Sequence, residues 1–212
     1  MTDIWKKWEV HYQSLGIDNS LISRDGIIFP KRFNKNLRIL FVMKETNAKK
    51  GFPLTEFLES GPINQMWHTT ARWAAGILNG FPEYSEINIR SKLTDALQQV
   101  AIINLKKVTG SSASNMSVVN AYAHQDRVLL LEQIQNIDPH IILSCGVLHS
   151  LIWLLDIPVK ADNPGLSPVR AKKIESVVIP WRHPNRGNNE KSYQELKEMF
   201  TKEKELLSSN RA

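Results

Sequence analysis

The 212-residue chain is poor in residues that staple or ligate. Its one cysteine, Cys145, allows no internal disulfide and no cysteine-held zinc or iron–sulfur centre. No apolar run is long enough to cross a bilayer, and there is no low-complexity tract or internal repeat. The opening residues, MTDIWKKWEV, scatter charge where a secretory signal would need an apolar core, so the chain is expected to be cytoplasmic. There is no Gly-x-Gly-x-x-Gly or Walker-type loop to cradle nucleotide phosphates, and no histidine pair at zinc-ligand spacing. Neither a cofactor nor a metal is therefore expected. With no break in composition, residues 1–212 read as one domain with one sizeable core, expected to be a monomer.

What is there begins with charge. A net charge of +6 favours polyanionic partners, but only modestly. Position is more telling than total. Lys31, Arg32, Lys35 and Arg38 precede one apolar run, Lys49 and Lys50 follow it, Lys106 and Lys107 follow another, and Arg182 and Arg186 flank a histidine. Several of these lie beside strand ends rather than along one helix.

Four short apolar runs, LRILFVM (37–43), QVAIINL (99–105), HIILS (140–144) and SVVIP (176–180), have the near-continuous hydrophobicity of strands buried on both faces. Segment 27–30, closed by Pro30, is a candidate for one more short strand. Helical spacing covers 3–15, 54–59, 63–79, 86–98, 119–136 and 147–155, and a charged helix spans 190–207. The alternation predicts a three-layer α/β/α sandwich around a central, mostly parallel four-stranded sheet, with helices 3–15 and 190–207 packed on it. Ligands of such sheets bind at the carboxyl ends of the strands. Those ends carry Lys44-Glu45-Thr46-Asn47, Asn104, Cys145-Gly146 and His183-Pro184-Asn185.

Each polar residue there has two readings. Glu45 could position or deprotonate a water, or it could cap a helix or pair with Lys44, Lys49 or Lys50. Asn104 ends an apolar strand, where a buried amide must be hydrogen-bonded. Its adjacent donor and acceptor match a pyrimidine edge, or they could serve the neighbouring loop. His183, held extended by Pro184, could stabilise negative charge through a neutral N–H, or be a loop histidine. Phe52 lies in a loop without helical period and could stack on an extruded base, as could Trp181. The loop TGSSASN, with Ser111 and Ser112, offers small side chains and amides to a phosphate, and Lys106 and Lys107 adjoin it. The remaining histidines read as structural or surface residues, and the remaining tryptophans, at helical spacing, as core.

Taken in order, RILFVMKETNA (38–48), AIINLKKVTGSSASN (101–115), IQNIDPHIILSCG (134–146) and VVIPWRHPNRG (177–187) resemble the four strand-end motifs of the uracil-DNA glycosylase superfamily. The resemblance covers about residues 37–187. It implies that Glu45, or Asn47 beside it, serves the water-activating first motif. It also implies that Asn104 reads the base edge, that Phe52 stacks near the base with Lys44 close by, and that His183 hydrogen-bonds the departing base. Lys106, Lys107, Ser111, Ser112, Arg182, Asn185 and Arg186 would then hold DNA, with Arg186 filling the gap left by the flipped base. Lys44 could in principle form a Schiff base with the abasic sugar. Met43 and Thr46 stand where the family has Gly and Pro, and Asn185 and Arg186 where it has Ser and wedge residues. Those departures leave uracil and bulkier or modified pyrimidines both open. The resemblance thus implies a monofunctional hydrolase of N-glycosyl bonds, acting in base excision or, as for relatives that remove altered bases from phage DNA, in defence. Its alternative is a catalytically weak relative that senses modified or damaged nucleic acid.

Overall fold

The computed structural model describes residues 4–110, 113–158, 167–185 and 189–208. The described elements run α1 (Ile4–Ser14), β1 (Gly26–Ile27), β2 (Ile39–Met43), α2 (Leu54–Glu59), α3 (Gln65–Asn79), α4 (Tyr84–Ile87), α5 (Arg90–Gln98) and β3 (Ala101–Asn104). They continue with α6 (Met116–Gln125), α7 (Arg127–Ile137), β4 (Ile141–Leu143), α8 (Leu148–Leu155), β5 (Val169–Arg170), β6 (Val177–Ile179), α9 (Asn189–Lys202) and α10 (Lys204–Ser208).

Among the described residues the sheet has six strands in the order β1-β3-β2-β4-β6-β5, which corrects the expectation of four. The four runs read from the sequence form its parallel centre, and β1 and β5 add short antiparallel edges. The sheet is therefore mixed. The candidate strand at 27–30 is met by β1 only at Ile27, and the two-residue β5 carries no apolar run that a sequence pattern could show.

Alternation along the central strands divides the core. Ile39, Phe41, Met43, Leu143 and Ile179 point into a cluster with α2, α3, α5 and α9. Leu40, Val42, Ile103, Ile142 and Val178 point into a second cluster, with α1, α6, α7 and α8. The sheet is thus covered by helices on both faces, each buried Leu, Ile or Phe side chain contributing about 1.5–3 kcal/mol of transfer free energy. α1 joins through Trp8 and Tyr12, and α9 through Tyr193 and Leu196.

Two helical readings are refined. The stretch 119–136 is two helices that break at Asp126, whose buried carboxylate accepts from the Tyr12 hydroxyl at 2.5 Å and pairs with His11 Nε2 at 2.8 Å. Satisfying that buried charge from α1 takes precedence over continuing one helix. The stretch 86–98 likewise divides into α4 and α5 at Asn88 and Ile89. α3 begins two residues later than its pattern suggested, where the Asn64 side chain accepts the Trp67 N–H at 3.2 Å. No described helix is long and apolar enough to cross a membrane.

Candidate functional site

The parallel register brings the carboxyl ends of β2 and β3 side by side, with Met43 opposite Asn104. The pairing outlasts the strands: Lys106 N–H donates to Lys44 O at 3.0 Å, and Gly110 N–H to Thr46 O at 2.8 Å. β4 and β6 are extended in the same way. Gly146 N–H donates to Trp181 O at 2.7 Å, and Trp181 N–H to Ser144 Oγ at 3.1 Å. These ladders deliver the segments after β2, β3 and β6 to one end of the sheet.

A cavity of about 680 Å³ opens there, lined by Glu45, Asn47, Phe52, Asn104, His183 and Asn185. These six residues, chosen from the sequence, come from segments as far apart as positions 45 and 185, and the fold gathers them. The rest of the lining includes Met43, Thr46, Leu54, Phe57, Asn64, Gln65, Met66, Trp67 and Ser114. Sequence reasoning did not single out the first turn of α3 as a wall. The signal was present in the Asn64 cap followed at once by Met66 and Trp67, because a helix start after Gly61-Pro62 presents its first turn to a loop. Ser114 brings one residue of the TGSSASN loop to the cavity; Ser111 and Ser112, like Arg186, lie outside the described residues.

Glu45 is nearly shielded from solvent, and its Oε2 accepts from the Lys106 ammonium, which also donates to Thr109 O at 3.1 Å. The carboxylate lies flat on the backbone of Gly110, where a Cβ would come within 2.2 Å of its Cδ and Oε2. Only glycine leaves that room.

His183 accepts the Asn185 backbone N–H through Nδ1 at 3.3 Å, so the proton of its neutral ring belongs on Nε2. Asn104, 3% exposed, donates through both its backbone N–H and Nδ2 to the carboxylate of Asp25, at 2.7 and 3.3 Å. With Nδ2 so engaged, the amide offers the cavity its oxygen and a second N–H. Phe52 meets Phe57 edge-on, their ring centroids 5.4 Å apart. Its loop is laced to residues 20–24: Gly51 N–H donates to Ser20 O, Arg24 N–H to Phe52 O and Leu54 N–H to Arg24 O, at 2.8–3.0 Å. A side chain at Gly51 would meet the Ile22 backbone at 2.0 Å.

The other basic candidates require correction. Lys107 is 1% exposed and cannot reach a phosphate. Its Nζ donates to both Asp25 oxygens, at 2.8 and 3.1 Å, over the rings of Trp5 and Trp8. Burial pulls its ammonium below the usual lysine range, against the opposing pull of Asp25 and Asp126. Lys106, also buried, holds Glu45 rather than DNA. The strand end that carries both lysines runs beneath α1 and beside Tyr122, so it is not the open loop its composition resembles. Lys44 does not line the cavity; its Cε lies 3.9 Å from where a Cβ would stand at Gly146, on the same side as His183. Arg182 is exposed, but it pairs with Glu195 and lies over the Trp181 ring at 5.1 Å. Trp181 itself packs edge-on against Trp73 and does not line the cavity.

Among the described residues no group of three or more His, Cys, Asp and Glu is placed to hold a metal ion. Cys145 is fully buried, and burial raises its thiol well above the usual range, which makes it a poor nucleophile. The chain matches no protein-family model and no curated protein.

Proposed function

We propose that this protein is a DNA base glycosylase of the uracil-DNA glycosylase kind, hydrolysing the N-glycosidic bond of a pyrimidine turned out of the helix. One observation carries the reading: Glu45, Asn104 and His183 line a single cavity at the carboxyl ends of the parallel strands. Its volume of about 680 Å³ lies within the roughly 300–1,000 Å³ of small-ligand sites and is ample for a base bearing a substituent.

In this reading a flipped base, extruded at a cost of a few kcal/mol, stacks on Phe52 and meets Asn104 with its hydrogen-bonding edge. The C–N bond breaks with its electron pair leaving on the base, and the Nε2–H of His183 stabilises that charge. Water adds its oxygen to the sugar carbon as Glu45, through the Oε1 that Lys106 leaves open, orients it and takes its proton. Asn47 and Asn185 lie at the cavity to steady the sugar and its phosphates. Lys49 and Lys50, exposed on the loop after β2, replace Lys106 and Lys107 as the phosphate-holding cations. The protein would act as a monomer in the cytoplasm, in excision of damaged bases or in defence against modified phage DNA.

A second reading has its own support. Glu45 is committed to a buried ion pair with Lys106, which occupies one of its oxygens and holds the carboxylate against Gly110. A relative that binds modified bases without cleaving them would look the same. Incubating the protein with duplexes bearing uracil, mismatched thymine, or hydroxymethylated or glucosylated cytosine, then treating with alkali, separates the two. Strand breaks at one of these bases, lost in His183→Ala and Glu45→Ala, are expected. Binding without breaks across the set would establish the sensing role instead, and cleavage that survives both substitutions would refute the assigned site.

A further inference from the structure

Asp25 does not line the cavity, yet it holds the residue that reads it. The residue precedes β1, which pairs with β3 through Gly26 opposite Ile102 and Ile27 opposite Ala101. One step beyond the end of that ladder, the Asp25 side chain takes over from backbone pairing. Its Oδ2 accepts the Asn104 backbone N–H at 2.7 Å and the Asn104 Nδ2 at 3.3 Å. Its Oδ1 is occupied by Lys107 Nζ at 2.8 Å and Gln133 Nε2 at 3.0 Å. The side chains of Asp25 and Lys107 are fully removed from solvent.

A carboxylate can only accept. Turning the Asn104 amide over would set Oδ1 against Oδ2 where no water can intervene, leaving two buried acceptors face to face. The Lys107 ammonium supplies the counter-charge that makes such a carboxylate tolerable in the core.

We infer that Asp25, backed by Lys107 and Gln133, is a positioning residue that locks the Asn104 amide with its nitrogen inward and so sets which base edge the cavity accepts. The inference rests on the reading of the cavity as a base site. A locked amide presents its oxygen and its remaining N–H in a fixed order. A pyrimidine with N3–H beside a C4 carbonyl and one with a bare N3 beside a C4 amino group present opposite orders. A base held in one pose by stacking satisfies the amide in only one of them, and the other pairs like with like. Discrimination between the two is expected to be on the order of a hundredfold or more.

The test uses the full chain and two duplexes, carrying one mispaired deoxyuridine or one mispaired deoxycytidine. Asp25→Leu alone strands the Lys107 charge and risks the fold, so it is joined with Lys107→Met, which removes both charges and keeps the lysine's apolar stem. In that double variant the side chain at position 25 offers Asn104 neither donor nor acceptor, and the lock is released. The ratio of excision on the two duplexes is expected to collapse by about tenfold or more, since the energetic preference for one amide orientation is gone. A merely structural effect would lower both rates together, and an unchanged ratio would overturn the proposal.

The Asn104 side-chain amide protons of the free 15N-labelled protein give a readout that needs no catalysis. The wild type is expected to show one of them slow to exchange with solvent, and the double variant to show both fast. If the wild type excises neither base, the glycosylase reading fails for these substrates, and the lock is judged on exchange alone. Equal exchange in wild type and variant would then overturn it, and the expected difference would sustain it.

Discussion

The carboxylate of Glu45 rests on the bare backbone of Gly110, with no room between them for a single methyl group. The two residues belong to loops after different strands, joined where Asn47 and Gly110 form an isolated parallel bridge. Gly110→Ala puts a Cβ where the carboxylate now lies. What must move is the end of a side chain pinned in a buried ion pair with Lys106, so a loss of about 1–3 kcal/mol in stability is expected. If the proposed glycosylase reading holds, excision should fall by on the order of a hundredfold, because the Glu45 carboxylate is displaced by about an ångström. Thermal unfolding and single-turnover rates on the same preparation check both halves.

The Asp25–Lys107 pair makes an energetic prediction independent of any activity. Lys107→Met leaves a wholly buried carboxylate without its counter-charge and should cost about 3–5 kcal/mol in urea unfolding. Adding Asp25→Asn should return most of that loss. If the double variant were as unstable as the sum of its parts, the pair would be worth less than its geometry indicates.

These two cases mark what the chain revealed unaided. The four central strands were legible because burial on both faces leaves continuous apolar runs, and strand ends of a parallel sheet converge whatever the details of the helices. That is why Glu45, Asn104 and His183 could be paired with one site before any coordinates. Lys106 and Lys107 were misread because a lysine pair beside a Ser/Gly-rich loop has the composition of an exposed turn. Their true partners are Glu45, 61 positions away, and Asp25, 82 away, and no local pattern records pairings at that range. The break at Asp126 was hidden for the same reason, since its partners His11 and Tyr12 are 115 and 114 positions distant.

With Lys106 and Lys107 withdrawn from the DNA-holding set, the salt dependence of binding becomes informative. Lys49→Ala and Lys50→Ala should each reduce the slope of log affinity against log salt by about 0.9. The Asp25→Asn, Lys107→Met pair should leave that slope as in the wild type, because neither side chain reaches a phosphate. Fluorescence anisotropy with one labelled duplex over a salt series is enough.

Acid sensitivity should arise in part far from the cavity. Burial, with Arg38 alongside, holds the His140 imidazole below its ordinary value of 6.5, Asp138 opposing. His140 Nδ1 accepts the Arg38 backbone N–H at 3.2 Å, a bond that protonation removes. The unfolded chain therefore takes up this proton at a higher pH than the folded one. The contribution is intact above pH 6.5 and is lost as pH falls below it. The drop in urea midpoint between neutral and mildly acidic buffer should be smaller in His140→Asn, whose oxygen can keep accepting from Arg38.

The lacing of the Phe52 loop to residues 20–24 has a consequence for how this cavity could change its diet. Arg24 grips the backbone of Phe52, and its neighbour Asp25 grips the backbone N–H and the amide of Asn104. Adjacent residues thus act as a gauge block: one peptide unit ties Phe52 to Asn104, which in the proposed glycosylase are the surface a base lies on and the group that inspects it. Gly51, with no space for a side chain, keeps the block from being reset by a simple substitution in the loop. On the proposed reading, room for a larger base has to come from other lining residues, such as Asn64, Gln65 and Met66 at the start of α3, and variants selected for new substrates should accumulate there.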